Sequence, residues 1–301
     1  GPTMNGCPQR AKGPFSIPRR KMVCAFVGTG PCPPIGSCKE AFSNSRGDLQ
    51  KMANCIIVGS GPGLSEAIAQ LFGKRGHRVG LIARSGDKLK EQADRLSQKG
   101  IVVEWATANA GDPPEIEQAL TAITASLGPC DVLIYNAAVM RPRPALDLTS
   151  SQMIEEFEVN VLGAHLSAKF VAPFMIEQGR GAILFTGGGL ALEPYPEWCS
   201  LALGKAALRS LGLSLFKELK PKGVHVSVFA ICGIVAKDGP FDPELIAEEY
   251  WRVGTDPKGV EDREVVFQPA GTDPFYNDPK RIHAGTTLPP IHVESAGCKA
   301  P

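Results

Sequence analysis

The stretch that decides the fold is NCIIVGSGPGLSEAIAQLF, residues 54–72. It begins with a short apolar run typical of a buried strand and turns in a loop rich in glycine. It then continues with apolar residues three and four positions apart, which is typical of a helix. The N–H groups at the start of such a helix attract phosphate, because they lack acceptors and lie at the positive end of the helix dipole.

The same alternation continues to about residue 266. Strands are predicted at 55–59, 78–83, 102–106, 132–135, 182–186 and 224–231, and helices near 64–75, 86–99, 113–127, 150–178 and 199–220. Strands that alternate with helices pair as a parallel sheet with helices on both faces. The sequence therefore predicts an α/β fold with a single doubly wound Rossmann-type sheet at 53–266, an extension at 1–52 and an irregular tail at 267–301.

Composition excludes several kinds of partner. Thirty-two Lys and Arg residues stand against thirty-one Asp and Glu, so no basic surplus indicates a nucleic-acid partner. The sequence contains no run of eighteen consecutive apolar residues, so a membrane partner is not expected. Nine cysteines contain no CxxC pair, so neither a metal site nor a disulfide framework is expected. We expect a cytoplasmic protein, or an organellar one if the segment 4–50, which has no acidic residue before 40, is a transit segment; it could equally be an extension without an address.

The glycine loop does not fit the GxGxxG pattern, because Leu64 stands at the sixth position. It fits a spacing in which Gly59 and Gly63 are separated by three residues. Glycines at these places permit a tight turn and a close approach of the backbone to a pyrophosphate. We expect the pyrophosphate to contact Gly59, Ser60, Gly61, Gly63 and Leu64; the alternative is a glycine turn that binds nothing.

The end of the second strand indicates which dinucleotide would bind. NAD-binding sites place an acidic side chain there for the ribose hydroxyls. Here the strand is followed by Arg84 and Ser85, and a guanidinium pairs with a 2′-phosphate that a carboxylate would repel. The sequence therefore favours NADP(H), although Arg84 could also be a solvated charge at the start of a helix.

Further motifs follow in an order that resembles the short-chain dehydrogenase/reductase family, over about residues 53–250. They are Asn109 after the third strand, Asn136, Ala137 and Ala138 after the fourth, Asn160 in the next helix, the GKAAL segment 204–208, and Cys232-Gly233 after the sixth strand. The resemblance implies that Asn109 contacts the adenine, residues 136–138 line the cofactor, and the backbone after Gly233, near Val235, contacts the nicotinamide amide. It also implies that Asn160 anchors a catalytic water chain and that Lys205 is the active-site lysine.

Two catalytic positions depart from the family pattern. The family has a tyrosine four residues before the lysine as its proton donor, and here that position is Leu201. Its substrate-orienting serine is replaced by Gly188. Tyr195 is a candidate surrogate donor and Glu197 a second one, because the resemblance places their loop beside the substrate cleft; Tyr195 could instead be an apolar lid or a dimer contact.

Three functions stay open from the residues alone. The leading one is an atypical NADP(H)-binding oxidoreductase that acts on a small or medium-sized organic substrate. The second is a cofactor-bound isomerase, cyclase or lyase that works by substrate positioning, and the third is a non-catalytic dinucleotide-binding protein. The resemblance also implies a homodimer or homotetramer through helices 150–178 and 199–220, which carry many small residues.

Overall fold

The computed structural model describes residues 52–256 and 262–272. The expected extension up to residue 51 and the tail from residue 273 lie outside the described residues. Seven strands form one sheet: β1 (Asn54–Val58), β2 (Arg78–Ala83), β3 (Val103–Thr107), β4 (Val132–Tyr135), β5 (Ala182–Thr186), β6 (His225–Ile231) and β7 (Glu264–Phe267). The helices are α1 (Leu64–Lys74), α2 (Gly86–Ser97), α3 (Pro113–Leu127), α4 (Ser150–Phe157), α5 (Gly163–Gln178), α6 (Cys199–Leu219) and α7 (Pro243–Thr255).

All strands are parallel, in the order β3-β2-β1-β4-β5-β6-β7. This arrangement confirms the predicted doubly wound α/β fold. Successive strands are added outward from β1 to β3 on one side of the sheet, and outward from β4 to β7 on the other side. The crossovers that follow β1 and β4 therefore lie on opposite faces of the sheet. The carboxyl ends of parallel strands share one edge, and the crevice at such a reversal is where doubly wound folds bind ligands.

The sheet lies between two apolar layers. One contains α1, α2 and α7, and the other contains α3, α5 and α6. The central strands are predominantly apolar because both of their faces are covered; every residue of β1 is buried. Asn54 is the polar residue of β1, and its amide group donates to the carbonyls of Leu127 and Pro129 at 2.9 and 2.7 Å.

The helix predicted at 150–178 is not continuous. Thr149 and Gln152 form a capping box that begins α4, and α4 runs into a π-helical turn, Glu158–Leu162, before α5 starts. A π-turn contains one residue more than an α-turn, and such turns occur frequently at functional sites. Asn160 lies within it.

The elements α7 and β7 were not anticipated. Asp242 caps α7 by accepting from the Glu244 N–H at 2.8 Å, and Pro243 follows at the first helical position. This Asp-Pro pair is a helix-start signal that was readable in the sequence. α7 covers the sheet through Tyr250, whose ring stacks on Phe229 at 3.8 Å between centroids.

The stretches Ser150–Gln178 and Cys199–Lys222 are long and apolar enough to cross a membrane by length and composition alone. Core helices of soluble domains satisfy the same criteria. Ala164, Val171 and Leu208 on these helices are buried within the sheet's apolar layer. Their apolar character is therefore explained by packing and is weak evidence for a membrane span.

Candidate active site

The glycine loop begins with a close backbone contact. Gly59 has a φ of +86°, and a Cβ atom there would lie 2.2 Å from the backbone nitrogen of Ala137. The N–H groups of Gly59 and Ser60 both donate to the Ile82 carbonyl, at 2.8 and 2.9 Å. Only glycine satisfies both the conformation and the contact, so the loop is held tightly against the ends of β2 and β4.

The rest of the loop is open. A Cβ atom at Gly61 or Gly63 would meet nothing within 4 Å, and no side chain caps the start of α1 at Leu64. The N–H groups of the first turn therefore have no acceptor within the helix. Open space beside uncapped N–H groups is an arrangement that suits an anion such as a pyrophosphate; the pyrophosphate contact itself stays a prediction.

A polar network ties the loop to the end of β4. The Ser65 hydroxyl donates to the Gly59 carbonyl at 3.0 Å and accepts from the Asn136 amide at 2.7 Å. The Asn136 N–H donates to the Val58 carbonyl at 2.7 Å. Asn136, Ala137 and Ala138 are half-buried at this edge of the sheet, so the structure brings them together with the glycine loop.

Arg84 and Ser85 follow β2 and are exposed. Ser85 occupies the N-cap position of α2, yet its side chain makes no capping hydrogen bond. Among the described residues, no ion pair or side-chain hydrogen bond is found for Arg84. Both side chains are therefore free to bind an anion such as a 2′-phosphate.

Asn109 follows β3 and is exposed at the same edge. Its backbone N–H donates to the Glu115 carboxylate at 2.7 Å, and its side-chain oxygen accepts from the Gly111 N–H at 3.2 Å. These bonds fix the backbone around Asn109 where the resemblance expects the adenine.

Gly233 and Val235 follow β6. A Cβ atom at Gly233 would lie 2.2 Å from the ring of Phe241, which explains the glycine by packing. Val235 is 36% exposed. Both positions lie at the sheet edge that carries the glycine loop.

Lys205 is buried on α6, and its ammonium donates to the Thr186 carbonyl at 2.6 Å. Burial lowers the pKa of Lys205 to about 8, because desolvation disfavours the charged form. Leu201 lies one helical turn earlier and is also buried. A Cβ atom at Gly188 would lie 4.0 Å from the Lys205 Cγ, so Gly188 adjoins the lysine and leaves room for a side chain.

Asn160 is brought next to this lysine by Gly204. A Cβ atom at Gly204 would lie 2.7 Å from the Asn160 Cβ, so the helices approach closely at this point. The Asn160 side-chain oxygen accepts from the Val139 N–H at 2.8 Å. Its amide nitrogen is buried and has no hydrogen-bond partner among the described residues.

Tyr195 is 6% exposed, and its hydroxyl is buried without a hydrogen-bond partner in the part of the chain that the structure describes. Glu197, two residues on, is exposed. Its carbonyl accepts from the Arg143 N–H at 2.6 Å, which joins this loop to the one after β4. Of the two candidate surrogate donors, the structure buries Tyr195 and leaves Glu197 in solvent.

Sequence reasoning missed Glu156. This residue is fully buried, and Arg143 lies 3.8 Å from its carboxylate. No local signal in the sequence marks this residue, because Gln152 and Asn160, one helical turn before and after it, are also polar. Within residues 52–256 and 262–272, no group of three or more His, Cys, Asp or Glu side chains could hold a metal ion.

A doubly wound parallel sheet whose glycine loop and uncapped helix lie at its switch point defines a Rossmann-type protein. The profile described as short chain dehydrogenase matches residues 53–238, more than half of the chain. The chain belongs to the short-chain dehydrogenase family.

The relatives agree with this assignment. An uncharacterised oxidoreductase of Staphylococcus aureus (strain MRSA252) is 27% identical over 223 residues, which are 71% of this chain and 96% of the relative. A metagenomic short-chain oxidoreductase solved in complex with NADP has a TM-score of 0.67 and 26% identity, covering 72% of this chain and 97% of its own. An NADPH-bound short-chain oxidoreductase from Pseudomonas aeruginosa PAO1, described as containing an atypical catalytic center, has a TM-score of 0.66 at 19% identity, covering 71% and 94%; that likeness is one of fold.

Proposed function

We propose that this chain is an NADP(H)-dependent oxidoreductase that acts on a small or medium-sized organic substrate without the tyrosine and serine usual in its family. The observation that carries the proposal is the anion-binding edge formed by the uncapped start of α1 and the exposed pair Arg84 and Ser85. The NADP bound to the metagenomic relative supports the same cofactor.

A different group of residues would bind each part of the cofactor. The glycine loop would hold the diphosphate, Arg84 and Ser85 the 2′-phosphate, Asn109 the adenine, and residues 136–138 with Gly233 and Val235 the nicotinamide end. Lys205 would donate to the nicotinamide ribose. When bound, the cofactor supplies or accepts a hydride, while the chain orients the substrate and handles the proton.

Binding is tested first by fluorescence titration with NADPH and NADH. We expect NADPH to bind at least about tenfold more tightly, since one lost charge-assisted hydrogen bond costs about 1.5–3 kcal/mol. Arg84→Ala removes this preference, whereas Lys88→Ala, at an exposed cation in the first turn of the neighbouring helix α2, keeps it. Failure to bind either nucleotide would remove the proposal.

Catalysis is tested by turnover of a carbonyl panel with NADPH. The proposed catalytic residues are Lys205, Asn160 and Tyr195. A buried hydroxyl without a partner is costly unless water or a ligand bonds to it, and this supports Tyr195 as a donor toward the cleft. Tyr195→Phe lowers kcat if it donates the proton; unchanged turnover assigns Tyr195 to packing.

A second function is favoured by one observation. Leu201 is buried one turn before Lys205 and carries no proton, which would suit substrate positioning without redox chemistry, or nucleotide binding alone. NADPH binding without oxidation across the panel would favour these alternatives, an isomerase, cyclase or lyase, or a non-catalytic protein.

The proposed assembly is a homodimer or homotetramer through the helices of 150–178 and 199–220. Apolar side chains on these helices are exposed: Met153, Ile154, Phe157, Phe174 and Leu203. Sedimentation of Phe157→Glu should show a smaller species than the wild type. Leu146→Glu, at a fully exposed leucine outside both helices, should leave the assembly unchanged.

A further inference from the structure

Most of the buried polar atoms without a partner in the described part of the chain belong to α4, the π-turn after it and the loops after β4 and β5. Nine buried side-chain nitrogen or oxygen atoms have no hydrogen-bond partner among the described residues, and five of them belong to Arg143, Glu156, Asn160 and Tyr195. We call these four residues the polar cluster. Native proteins leave few buried polar groups unsatisfied, so such a concentration indicates bound water or a bound ligand.

The four residues are connected through short links. The Arg143 guanidinium lies 3.8 Å from the Glu156 carboxylate, which is too long for a hydrogen bond. The Arg143 N–H bonds to the Glu197 carbonyl, and the Trp198 N–H bonds to the Tyr195 carbonyl. The loops after β4 and β5 therefore meet beside α4.

The cluster contains matching donors and acceptors. Glu156 offers two acceptor oxygens, while the Asn160 amide and the Arg143 guanidinium offer donors. Glu156 and Asn160 lie one helical turn apart on one face, and side chains at this spacing are neighbours about 5–6 Å apart at Cβ. A water that accepts from the Asn160 amide and donates to the Glu156 carboxylate would satisfy both groups.

The polar cluster also lies beside the helical turn that contains Leu201, the residue at the position of the family tyrosine. Crossover helices between neighbouring parallel strands all run antiparallel to the strands, so α4 and α6 run in the same direction. Gly204 of α6 contacts Asn160. One turn earlier on each helix stand Leu201 and Glu156, so the carboxyl belongs to the turn where the family tyrosine is replaced.

We propose that Glu156, paired with Arg143, is the proton reservoir of this site and exchanges protons with the substrate oxygen through water held by Asn160. The inference rests on the proposed oxidoreductase function. In the oxidation of an alcohol, the hydride passes to NADP⁺, the hydroxyl proton passes through water to the Glu156 carboxylate, and the carboxyl then releases it to solvent. Reduction of a carbonyl by NADPH runs the same transfers in reverse. Because Glu156 acts through water and Asn160, it is a positioning residue rather than a catalytic one.

The decisive variant is Glu156→Gln, which keeps the shape of the side chain and removes its ability to exchange a proton. We expect kcat on the best substrate of the carbonyl panel to fall at least tenfold, within the range typical of general acid–base catalysis. We expect the Kd for NADPH to change less than about twofold. The matched control is Glu155→Gln, the exposed neighbour paired with Arg141 at 3.4 Å, which should behave as the wild type.

The solvent isotope effect separates a proton role from a structural one. If Glu156 carries the proton, its loss makes proton transfer slower, and the ratio of kcat in H₂O to that in D₂O rises in Glu156→Gln. A purely structural role would lower kcat with an unchanged ratio, and this result, or an unchanged kcat, would overturn the inference.

A crystal structure of the wild-type apoprotein gives an independent readout. We expect at least one ordered water that bonds to both the Glu156 carboxylate and the Asn160 amide. A dry cluster, in which the two side chains bond only to protein groups, would overturn the inference even if NADPH binds and turns over. Failure of NADPH binding would instead refute the proposed function.

Discussion

The two sides of the site treat polar groups differently. On the nucleotide side, the loops after β1 and β2 and the start of β4's loop, the polar side chains of Ser60, Ser65 and Asn136 are hydrogen-bonded and the backbone is closely packed. On the proposed substrate side, where the loops after β4 and β5 meet α4 and α6, five buried side-chain atoms of the polar cluster have no hydrogen-bond partner among the described residues. The proposed nucleotide side therefore holds the base of its glycine loop rigidly, and the proposed substrate side keeps hydrogen-bonding capacity for water and ligand.

The largest expected effect is a loss of stability caused by a substitution in the glycine loop. Gly59→Ala requires a positive φ and places Cβ against the Ala137 backbone, so we expect a loss of more than about 3 kcal/mol in the free energy of unfolding. Gly61→Ala is the control, since its Cβ meets nothing, and it should change stability by less than about 0.5 kcal/mol. Urea unfolding of the apoproteins measures both, and equal stabilities would refute the close contact.

On the substrate side, Lys205→Met should stabilise the apoprotein. The pKa of Lys205 is about 8, against 10.5 ordinarily, so the folded protein binds this proton less well than the unfolded chain. This costs up to about 3 kcal/mol below pH 8, and the lost bond to Thr186 offsets part of the gain.

The stability difference between the wild type and Lys205→Met should depend on pH. Between pH 8 and 10.5 the unfolded chain binds more protons at this position, so the wild type gains stability as pH rises. The stability advantage of Lys205→Met should therefore be greatest at or below pH 8 and shrink toward pH 10.5. An advantage that is independent of pH would contradict the burial of the ammonium.

Adjacent glycines test how much room surrounds the lysine. A Cβ at Gly187 would lie 2.9 Å from the Phe229 carbonyl, whereas at Gly188 the nearest atoms are 3.9 and 4.0 Å away. Gly187→Ser should cost about 2 kcal/mol through overpacking and Gly188→Ser less than about 1 kcal/mol. Thermal unfolding compares them, and an equal loss would show that the site cannot accept the family serine.

The smallest expected effect concerns Thr186, whose carbonyl accepts a hydrogen bond from Lys205. The hydroxyls of Thr186 and Tyr250 are hydrogen-bonded at 2.8 Å, so Tyr250→Phe should cost about 1 kcal/mol. Thr186→Val/Tyr250→Phe should cost less than the sum of the single variants, because no hydroxyl is left unpaired. Strict additivity in urea unfolding would mean that the bond contributes nothing.

Regular periodicity made most of the fold predictable. Six strands and the outer ends of the helical segments that follow the first five were identified to within about two residues, because apolar runs and glycine turns mark their ends; the π-turn inside 150–178 was missed. The elements α7 and β7 were missed; β7 is a four-residue edge strand with little burial pattern. For the candidate site, the glycine loop, Asn160 and Lys205 were predicted from local motifs.

The contact between Glu156 and Arg143 could not be predicted in the same way. Their proximity depends on tertiary packing, since the loop that carries Arg143 folds back onto α4. A charged residue within a helical pattern normally indicates a solvated face, and nothing local distinguishes Glu156 from exposed Glu155. Only the folded structure separates these neighbours.

The π-turn at Glu158–Leu162 makes that separation sensitive to the geometry of the turn. A substitution that closes the turn to α-helical geometry, with all five residues kept, would rotate the preceding eight residues by about 100°. Such a rotation would carry Glu156 toward water and bring another side chain inward. A one-codon change in this turn would thus reassign the inward-facing residue without altering a single amino acid of α4.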